Sequence, residues 1–280
     1  MSIPRRDFLK TALATSVTAT LVSPGAAAGS SGPAPTAGRE YYELRAYRLK
    51  SAATRGTLDA YLEKALLPAL DQRGIKQAGI FTEIDVDKTT ATAKPKADTP
   101  VWVFIPHSSF ESFVSVSADI NADRAVQQAA ANYFNPSKEN AVFERLDSWL
   151  LLAFSGQPKL KVPVFSQKRT PTRVFEFRTY ESHNEQKALS KIAMFNAGEI
   201  EVMHELGMSP LFFGQAIAGR DLPHLSYFTG GPDIATHLAN WKKFGTYPTW
   251  VKLKNDPQYT GNTSKTGPAR FLVPTAYSPL

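Results

Sequence analysis

The fold is decided by a stretch that occurs twice, first as Tyr42-Glu43-Leu44-Arg45-Ala46-Tyr47 and then as Phe175-Glu176-Phe177-Arg178-Thr179-Tyr180. The two copies share the pattern Glu-x-Arg-x-Tyr at an offset of 133 residues, and the same offset relates Gly74 to Gly207. Each copy alternates in polarity and is rich in aromatic residues, which is typical of a β-strand. A strand that returns at a fixed spacing predicts an internal duplication.

The offset between the two copies changes once along the chain. Residues 153–155 (Ala-Phe-Ser) match residues 276–278 (Ala-Tyr-Ser) at an offset of 123, so the first copy is ten residues longer. The extra length falls in the polar stretch 85–100, opposite the shorter stretch 218–223. Duplicated domains commonly differ in such surface loops. We therefore predict two domains, at residues 39–156 and 172–280, joined by a linker at residues 157–171.

Both copies show the same order of predicted elements. In the first copy, strands are predicted at 41–49, 75–86, 101–105 and 149–154, with helical stretches at 57–73 and 108–131. In the second copy, strands are predicted at 173–180, 208–217, 224–228 and 270–275, with helices at 186–206, 233–244 and 248–254. This is the βαββαβ order of a ferredoxin-like unit. The predicted fold class is therefore α+β, with two tandem ferredoxin-like units.

One ferredoxin-like unit carries its helices on one face of its sheet and leaves the other face bare. Two such sheets that pack face to face bury both bare faces and enclose a barrel. A chain with two copies can make this pairing within itself. We therefore predict a pseudo-dimer of the dimeric α/β-barrel type.

The first 28 residues have the composition of a signal peptide. Arg5-Arg6-Asp7-Phe8-Leu9-Lys10 resembles a twin-arginine motif, an apolar stretch of small residues follows, and Ala26-Ala27-Ala28 fits a cleavage site. Residues 29–38 are rich in Gly, Pro, Ser and Ala, which is typical of a flexible spacer. We predict a periplasmic or secreted protein that is exported by the twin-arginine route.

Composition excludes several classes of function. The chain of 280 residues has no cysteine, which rules out disulfides, thiolate zinc sites and cysteine nucleophiles. Its formal charge is +7, of which residues 1–28 supply +2, and like charges do not cluster in long runs. We therefore predict no nucleic-acid partner. We also predict no transmembrane segment after signal cleavage, and a homo-oligomer is left open.

With these motifs in place, the sequence resembles the NIPSNAP family, within the dimeric α/β-barrel superfamily. The resemblance covers about residues 39–280 and is carried by the motifs at Glu43 and Glu176 and by Pro274-Thr275-Ala276-Tyr277-Ser278-Pro279. It implies mainly a fold, because the family is poorly defined biochemically. Relatives in the superfamily include cofactor-independent monooxygenases, haem-dependent enzymes and proteins without known activity, so the cofactor stays unknown.

In each repeated strand the Glu, Arg and Tyr side chains share one face, because residues two apart in a strand point the same way. We predict that this face lines the barrel interior and holds a polar or anionic ligand. The predicted ligand-binding residues are Glu43, Arg45, Tyr47, Glu176, Arg178 and Tyr180. The alternative is an ion-pair network that keeps the two sheets in register, and its presence in both copies favours this alternative.

The histidines give weaker signals. His183 follows the second repeated strand, at one mouth of the predicted barrel, and is the candidate proton acceptor. Glu201 and His204 have the spacing of half a di-iron helix motif, but the matching stretch of the first copy lacks the pair. We therefore predict no metal site.

Three functions are compatible with these features. The preferred one is the binding of a small aromatic or anionic molecule in the barrel interior, oriented by Arg45 and Arg178. The second is a cofactor-independent oxygenase or isomerase that works in the same cavity, so the sequence does not decide whether the protein is an enzyme. The third is a structural or partner-binding protein with a filled interior.

Overall fold

The structure is a computed structural model, and it describes residues 38–280. The predicted signal peptide at residues 1–28 lies outside these residues, as does the spacer except for its last residue. The strands of the first half are β1 (Tyr41–Leu49), β2 (Gly79–Asp87), β3 (Thr92–Pro95), β4 (Val101–His107) and β5 (Phe143–Ala153). Its helices are α1 (Arg55–Tyr61), α2 (Leu67–Gln72), α3 (Phe110–Ala122), α4 (Arg124–Ala129) and α5 (Ala131–Phe134).

A short helix, α6 (Val164–Gln167), lies between the halves. The strands of the second half are β6 (Val174–Glu181), β7 (Phe212–Ala218), β8 (His224–Gly231), β9 (Lys265–Thr266) and β10 (Arg270–Pro274). Its helices are α7 (Glu185–Met194), α8 (Ile200–Glu205), α9 (Ile234–Thr246) and α10 (Pro248–Lys254). Within residues 38–280, each helix is too short or too polar to cross a membrane.

Eight of these strands form a closed antiparallel barrel in the order β10-β2-β4-β1-β5-β7-β8-β6, and β10 completes the circle by pairing with β6. The short strands β3 and β9 extend β2 and β6 outside the circle. Closure leaves the barrel strands without free edges, which removes a template for aggregation. The chain therefore has a mixed α/β fold with an antiparallel barrel at its centre.

Each half contributes four neighbouring strands to the barrel, and the order of the strands is the same in both halves. The first half supplies β2-β4-β1-β5, and the second supplies β7-β8-β6-β10. The halves meet at two places, where β5 pairs with β7 and where β10 pairs with β2. Each joint is an antiparallel ladder, and the pairing of β5 with β7 contains one register shift, between Leu150 and Leu151. The two halves therefore share one hydrogen-bonded sheet.

Both halves also interrupt their first long helix with a π-helical turn. The turns span Leu62–Leu66 and Phe195–Glu199, so they are related by the offset of 133 that relates the sequence motifs. Each helix then ends at a glycine in the left-handed conformation, Gly74 (φ 81°) and Gly207 (φ 68°). Glycine adopts this conformation without a steric penalty, which explains why the helix ends there in both halves.

The barrel interior is filled with apolar side chains, most of them aromatic. The buried members that face it include Tyr42, Leu44, Ala46, Phe81, Trp102, Phe104, Leu151, Phe175, Phe177, Phe212, Phe228 and Leu272. Rings from the two halves stack directly on each other, since the centroids of Phe104 and Phe212 are 4.8 Å apart with planes at 23°. The middle of the barrel is thus a packed core that fastens the two halves together.

This packing reverses the predicted orientation of the repeated strands. The prediction placed the Glu, Arg and Tyr side chains in the interior, and it is wrong on this point. Leu44 and Phe177 point into the interior, whereas Glu43 and Glu176 lie on the side of the sheet that faces the helices. The physical reason is that the helix layer supplies polar partners for the carboxylates, such as His237 of α9.

The two ends of the barrel differ. At the end where β1 and β6 begin, three side chains of the connector between the halves pack on the interior cluster: Leu160, Val162 and Phe165. The ring centroids of Phe165 and Phe175 are 6.0 Å apart there. At the end where β1 and β6 finish, a cavity opens among the strand ends. The barrel is therefore open at the end where β1 and β6 finish.

Candidate functional site at the barrel mouth

The six predicted ligand-binding residues form two separate clusters against the helices. Within each cluster the structure brings Glu and Arg together, with Arg45 Nε 2.6 Å from Glu43 and Arg178 Nε 2.8 Å from Glu176. The clusters face different helices, because Arg45 contacts Ser117 of α3 and the second cluster contacts α9. The predicted single site in the interior is therefore split between the two halves.

In the first cluster, Glu43 has partners on two sides. Arg45 Nε and Nη2 donate to its two oxygens at 2.6 and 2.9 Å, and His107 Nε2 lies 3.5 Å from Oε2. Burial alone raises the pKa of Glu43, but the contact with His107 and the charge of Arg45 outweigh it and lower the pKa to about 2. Arg45 also donates to Ser117 Oγ at 2.6 Å, so protein groups already use donors on Nε and Nη2.

The second cluster is arranged in a similar way around Glu176. His237 Nε2 lies 2.7 Å from Glu176 Oε2, and the guanidinium of Arg178 lies 4.0 Å from the ring centre of Trp241. Burial raises the pKa of Glu176, but the hydrogen bond with His237 and the charge of Arg178 outweigh it and lower the pKa. These contacts favour the ion-pair alternative for both clusters, and a role in ligand binding stays a prediction.

The other candidates from the sequence lie apart from these clusters. His183 is exposed in the loop between β6 and α7. His204 Nε2 lies 2.8 Å from Gln157 Oε1 and 3.4 Å from Lys161 Nζ. Burial and the charge of Lys161 lower the pKa of His204. Within residues 38–280, His, Asp and Glu side chains do not form a group of three that could hold a metal ion.

The mouth cavity, as we call the opening where β1 and β6 finish, has a volume of about 190 Å³. An apolar cavity of about 150 Å³ accepts benzene, so this volume fits one aromatic ring with a small substituent. The side chains that line it are Leu44, Arg48, Trp102, Trp149, Phe177, Thr179, Glu181, Arg220, Asp221, His224, Ser226, Lys265 and Arg270, together with Gly267 and Pro268. The lining therefore combines aromatic, cationic and hydroxyl groups around a ring-sized space.

A larger groove of about 690 Å³ lies beside the mouth cavity and shares Arg48 with it. Most of its lining is polar or charged and comes from strand ends and loops, including Lys50, Lys96 and Glu144. It lacks the aromatic walls of the mouth cavity. We therefore take the mouth cavity as the candidate site.

The first half of the chain supplies an aromatic wall of the mouth cavity. The ring centroids of Trp102 and Trp149 are 6.1 Å apart, with planes at 26°. Trp102 Nε1 donates to Glu83 Oε1 at 2.9 Å, and Trp149 Nε1 donates to the carbonyl oxygen of Arg220 at 3.3 Å. Because both indole N–H groups have partners, the rings are held in position for contact with a ligand.

Arginines from both halves surround the opening. Arg48 and Arg220 each bind the buried carboxylate of Asp147, at 3.2 and 3.1 Å. Arg270 is held more loosely, since its Nη1 lies 3.5 Å from Glu83 Oε1. That distance is long for a hydrogen bond, so the guanidinium of Arg270 keeps donors for an anionic ligand.

The second half supplies a column of polar side chains, which we call the polar column: Thr179, Ser226 and His224. Thr179 Oγ1 lies 3.0 Å from Ser226 Oγ, which lies 3.3 Å from His224 Nδ1. The side chain of His224 is buried, and its Nε2 has no hydrogen-bond partner among the described residues. Burial lowers the pKa of His224 from its usual 6.5, so the imidazole is neutral at pH 7.

Sequence reasoning missed the mouth cavity because it assigned the wrong face of the repeated strand to the interior. The alternation itself carried the signal, since Leu44 and Arg48 share one face of β1, and Phe177 and Thr179 share one face of β6. If this face of each strand points into the barrel, Arg48 of β1 and Thr179 of β6 are expected at the mouth. Arg270 lies outside the repeated motif, so nothing in the repeat pointed to it.

Comparison with known proteins shows a family likeness for the second half of the chain. The family model described as NIPSNAP matches residues 175–279, which confirms the resemblance for that half. An uncharacterized NIPSNAP-like domain protein from Burkholderia xenovorans superposes with a TM-score of 0.34 and 15% identity, over 39% of this chain and 90% of that chain. No curated protein matches the chain at a significant level.

Two solved structures resemble nearly the whole described chain. A candidate monooxygenase from Lactobacillus acidophilus NCFM superposes with a TM-score of 0.51 and 6% identity, over 84% of this chain and 94% of that chain. A candidate monooxygenase from Fusobacterium nucleatum superposes with a TM-score of 0.50 and 8% identity, over 85% and 93%. At such low identity, these likenesses show the fold and carry no activity over to this chain.

Proposed function

We propose that the protein is a NIPSNAP-like barrel protein that binds a small, single-ring aromatic anion in the mouth cavity. The observation that carries this proposal is the lining of that cavity, with indole rings on one side, arginines at the rim and hydroxyls opposite. An apolar wall with a few placed polar groups is typical of small-molecule sites. The proposed site lies at the mouth because the interior below it is filled with aromatic rings.

The charge of the lining supports an anionic ligand. Four cationic and two acidic side chains line the cavity, namely Arg48, Arg220, Lys265 and Arg270 against Glu181 and Asp221. Asp147 takes up part of the charge of Arg48 and Arg220, and Glu181 binds Lys265 at 2.9 Å. Arg270 is therefore the strongest anchor, since a guanidinium can give a carboxylate two parallel hydrogen bonds.

We also propose that the two halves are tandem ferredoxin-like domains, at residues 39–156 and 172–280, with a linker at residues 157–171. The matching strand orders of the halves support this proposal, as does the common offset of their π-helical turns. The likeness to NIPSNAP would then extend to the first half. The ligand site would combine one wall from each domain.

We further propose that the protein is exported by the twin-arginine route, on the pattern of residues 1–28. The double variant Arg5→Lys/Arg6→Lys should keep the precursor in the cytoplasm, because this route requires the arginine pair. Cell fractionation with an antibody against the protein measures this. Export of the double variant at the wild-type level would contradict the proposal.

Calorimetric titration with three probes tests the proposed ligand class. 4-Nitrobenzoate has one ring and a negative charge, nitrobenzene lacks the charge, and benzylamine has the opposite charge. We expect affinity to fall in that order, because the ring contacts the indoles and the carboxylate contacts Arg270. Equal affinity for 4-nitrobenzoate and benzylamine would contradict an anionic site.

The variant Arg270→Met locates the site. It should weaken 4-nitrobenzoate binding by about tenfold or more, because a hydrogen bond to a charged group is lost. Nitrobenzene binding should stay within about twofold of wild type. Arg124→Met is the matched control, since Arg124 is exposed on α4. If the folded wild-type protein binds none of the probes, the structural or partner-binding function takes the place of this one.

A further inference from the structure

The polar column stands where the first half of the barrel has apolar residues. In the second half, Thr179 of β6 pairs with Ser226 of β8, and the equivalent pair in the first half is Ala46 with Trp102. These pairs face the same interior. Burial of hydroxyl groups at such a position removes their hydration and gives little free energy from apolar contact in return. A polar pair that occurs in the second half only therefore indicates a function for the side of the mouth cavity that this half supplies.

His224 ends the polar column at the wall of the mouth cavity. Its side chain is 4% exposed, and its Nε2 lacks a hydrogen-bond partner among the described residues. Nearly all buried polar atoms in proteins have a partner. Because His224 lines the cavity, a bound ligand is the group that would supply the missing partner.

The column can hold the proton of His224 on Nδ1. Hydroxyl groups both donate and accept, so Nδ1–H of His224 can donate to Ser226 Oγ while Ser226 donates to Thr179 Oγ1. A neutral imidazole with its proton on Nδ1 keeps a lone pair on Nε2. Nε2 is then a proton acceptor on a buried side chain that lines the cavity.

Building on the proposed function, we propose that the ligand carries a phenolic or enolic hydroxyl and that His224 accepts its proton. The O–H bond of the ligand breaks, an N–H bond forms at Nε2, and the electron pair of the O–H bond stays on the ligand oxygen. The products are a phenolate or enolate and an imidazolium, and no oxidant or reductant takes part. A carboxylic acid is already ionised at neutral pH, whereas a phenol with a pKa of about 10 needs such an acceptor.

The charges around His224 support both products of this transfer. Glu181 lies opposite His224 in the register of β6 and β8, and Asp221 lies in the loop before β8. Burial lowers the pKa of His224, while the backbone of Leu225 and Arg220 and the carboxylates of Asp221 and Glu181 act against it and stabilise an imidazolium. Lys265 binds Glu181 at 2.9 Å, and Arg220 at the rim offers a positive charge to a phenolate.

Absorbance of 4-nitrophenol, whose ionised form absorbs in the visible, tests the transfer. The probe is titrated with acid and base in an excess of the full-length protein. We expect the bound probe to ionise about one pH unit below the free probe, which is tenfold in its ionisation constant. His224→Gln should abolish this shift. His204→Gln, on α8 and outside the lining of the mouth cavity, is the matched control and should keep it.

The outcomes separate this inference from the proposed function. If 4-nitrobenzoate binds but bound 4-nitrophenol ionises like the free probe, the inference is wrong and the binding function stands. A shift that persists in His224→Gln assigns the effect to the rim arginines and also overturns the inference. If neither probe binds the folded protein, the proposed function fails first.

A second variant keeps the test decisive if His224→Gln does not fold. Ser226→Ala retains the imidazole but removes the acceptor for Nδ1–H, so Nε2 is no longer held as the acceptor. We expect it to reduce the shift in the ionisation constant from about tenfold to about threefold. A full shift in Ser226→Ala would contradict the role of the polar column.

Discussion

The two halves of the barrel have the same strand order but bury different groups between sheet and helices. The first half buries Leu58 and Leu66 there, and the positions 133 residues later hold Lys191 and Glu199. Lys191 Nζ lies 3.1 Å from Glu199 Oε2, and both side chains are buried. Buried ion pairs rarely improve on apolar packing, because both charges lose their hydration. The comparison shows that the scaffold does not need these charges, since its other half folds with leucines.

A second comparison concerns a feature that both halves keep. Glu43 and Glu176 each contact a histidine, but His107 ends β4 and His237 lies on α9. Counted from the capped starts of α3 and α9, the first half has Phe113 at the position of His237. The two halves supply a histidine to the buried glutamate from different elements. This indicates that a carboxylate buried at this position must be paired. This supports a structural role for both clusters.

The largest effect is expected from breaking the buried pair of the second half. Lys191→Leu leaves Glu199 as an unpaired buried charge and should lower the free energy of unfolding by about 3–5 kcal/mol. The double variant Lys191→Leu/Glu199→Leu, which copies Leu58 and Leu66, should recover most of that loss or exceed wild type. Denaturation in guanidinium chloride measures both. A double variant as unstable as the single one would mean that apolar packing cannot replace the pair.

The next effect is a pH dependence that originates in the first half. The pKa of Glu43 is about 2 in the folded protein against an ordinary value of 4.5, so its ionised form stabilises the fold above pH 4.5. This contribution, about 3 kcal/mol, is lost as the pH falls from 4.5 to 2. Stability curves in acid should be flatter for Glu43→Gln in that range. The exposed Glu201→Gln is the control, and an unchanged slope in Glu43→Gln would contradict the assignment.

A smaller effect is expected when the histidine of the second cluster is exchanged for the residue of the first half. His237→Phe copies Phe113 and should cost about 1–3 kcal/mol, because Glu176 loses one partner and keeps Arg178. His107→Phe should cost less, since its contact with a carboxylate is 3.5 Å rather than 2.7 Å. Thermal unfolding at pH 7 compares the two. Equal losses would argue against the distances as the cause.

The smallest effect concerns the walls of the mouth cavity. Thr179→Ala copies Ala46 and removes the hydrogen bond with Ser226, which should lower the free energy of unfolding by about 0.5–1.5 kcal/mol. Binding of 4-nitrobenzoate should stay within about twofold, because we propose that its carboxylate contacts Arg270 across the cavity. Chemical denaturation and calorimetry measure these effects. A large loss of 4-nitrobenzoate affinity would place the carboxylate at the polar column.

Much of the fold could be predicted from local sequence patterns, since alternation and helical spacing act over a few residues. The predicted strand 41–49 coincides with β1, and the predicted helix 248–254 coincides with α10. The predicted start of the strand at 149 was wrong, because β5 begins at Phe143. Its first part, including Glu144 and Leu146, is exposed and lacks an apolar alternation. The helix predicted at 186–206 contains a π-helical turn that helical spacing does not reveal.

The site could not be predicted in the same way. Both faces of β1 are buried, so alternation separates two sets of side chains without telling which set meets helices and which meets the other sheet. The mouth cavity also needs Trp149 from the first half and Arg270 from the second, and only barrel closure brings them together. Contacts between strands far apart in sequence depend on register, which local patterns do not encode.

The position of β10 has a consequence for how the protein is made. This strand lies between β2 and β6, and it follows every other barrel strand in the chain. A growing chain at the ribosome therefore has two open sheet edges until β10 emerges, and open edges invite pairing with other chains. The barrel can close only after β10 has been synthesised, so folding is completed late in the synthesis of the chain.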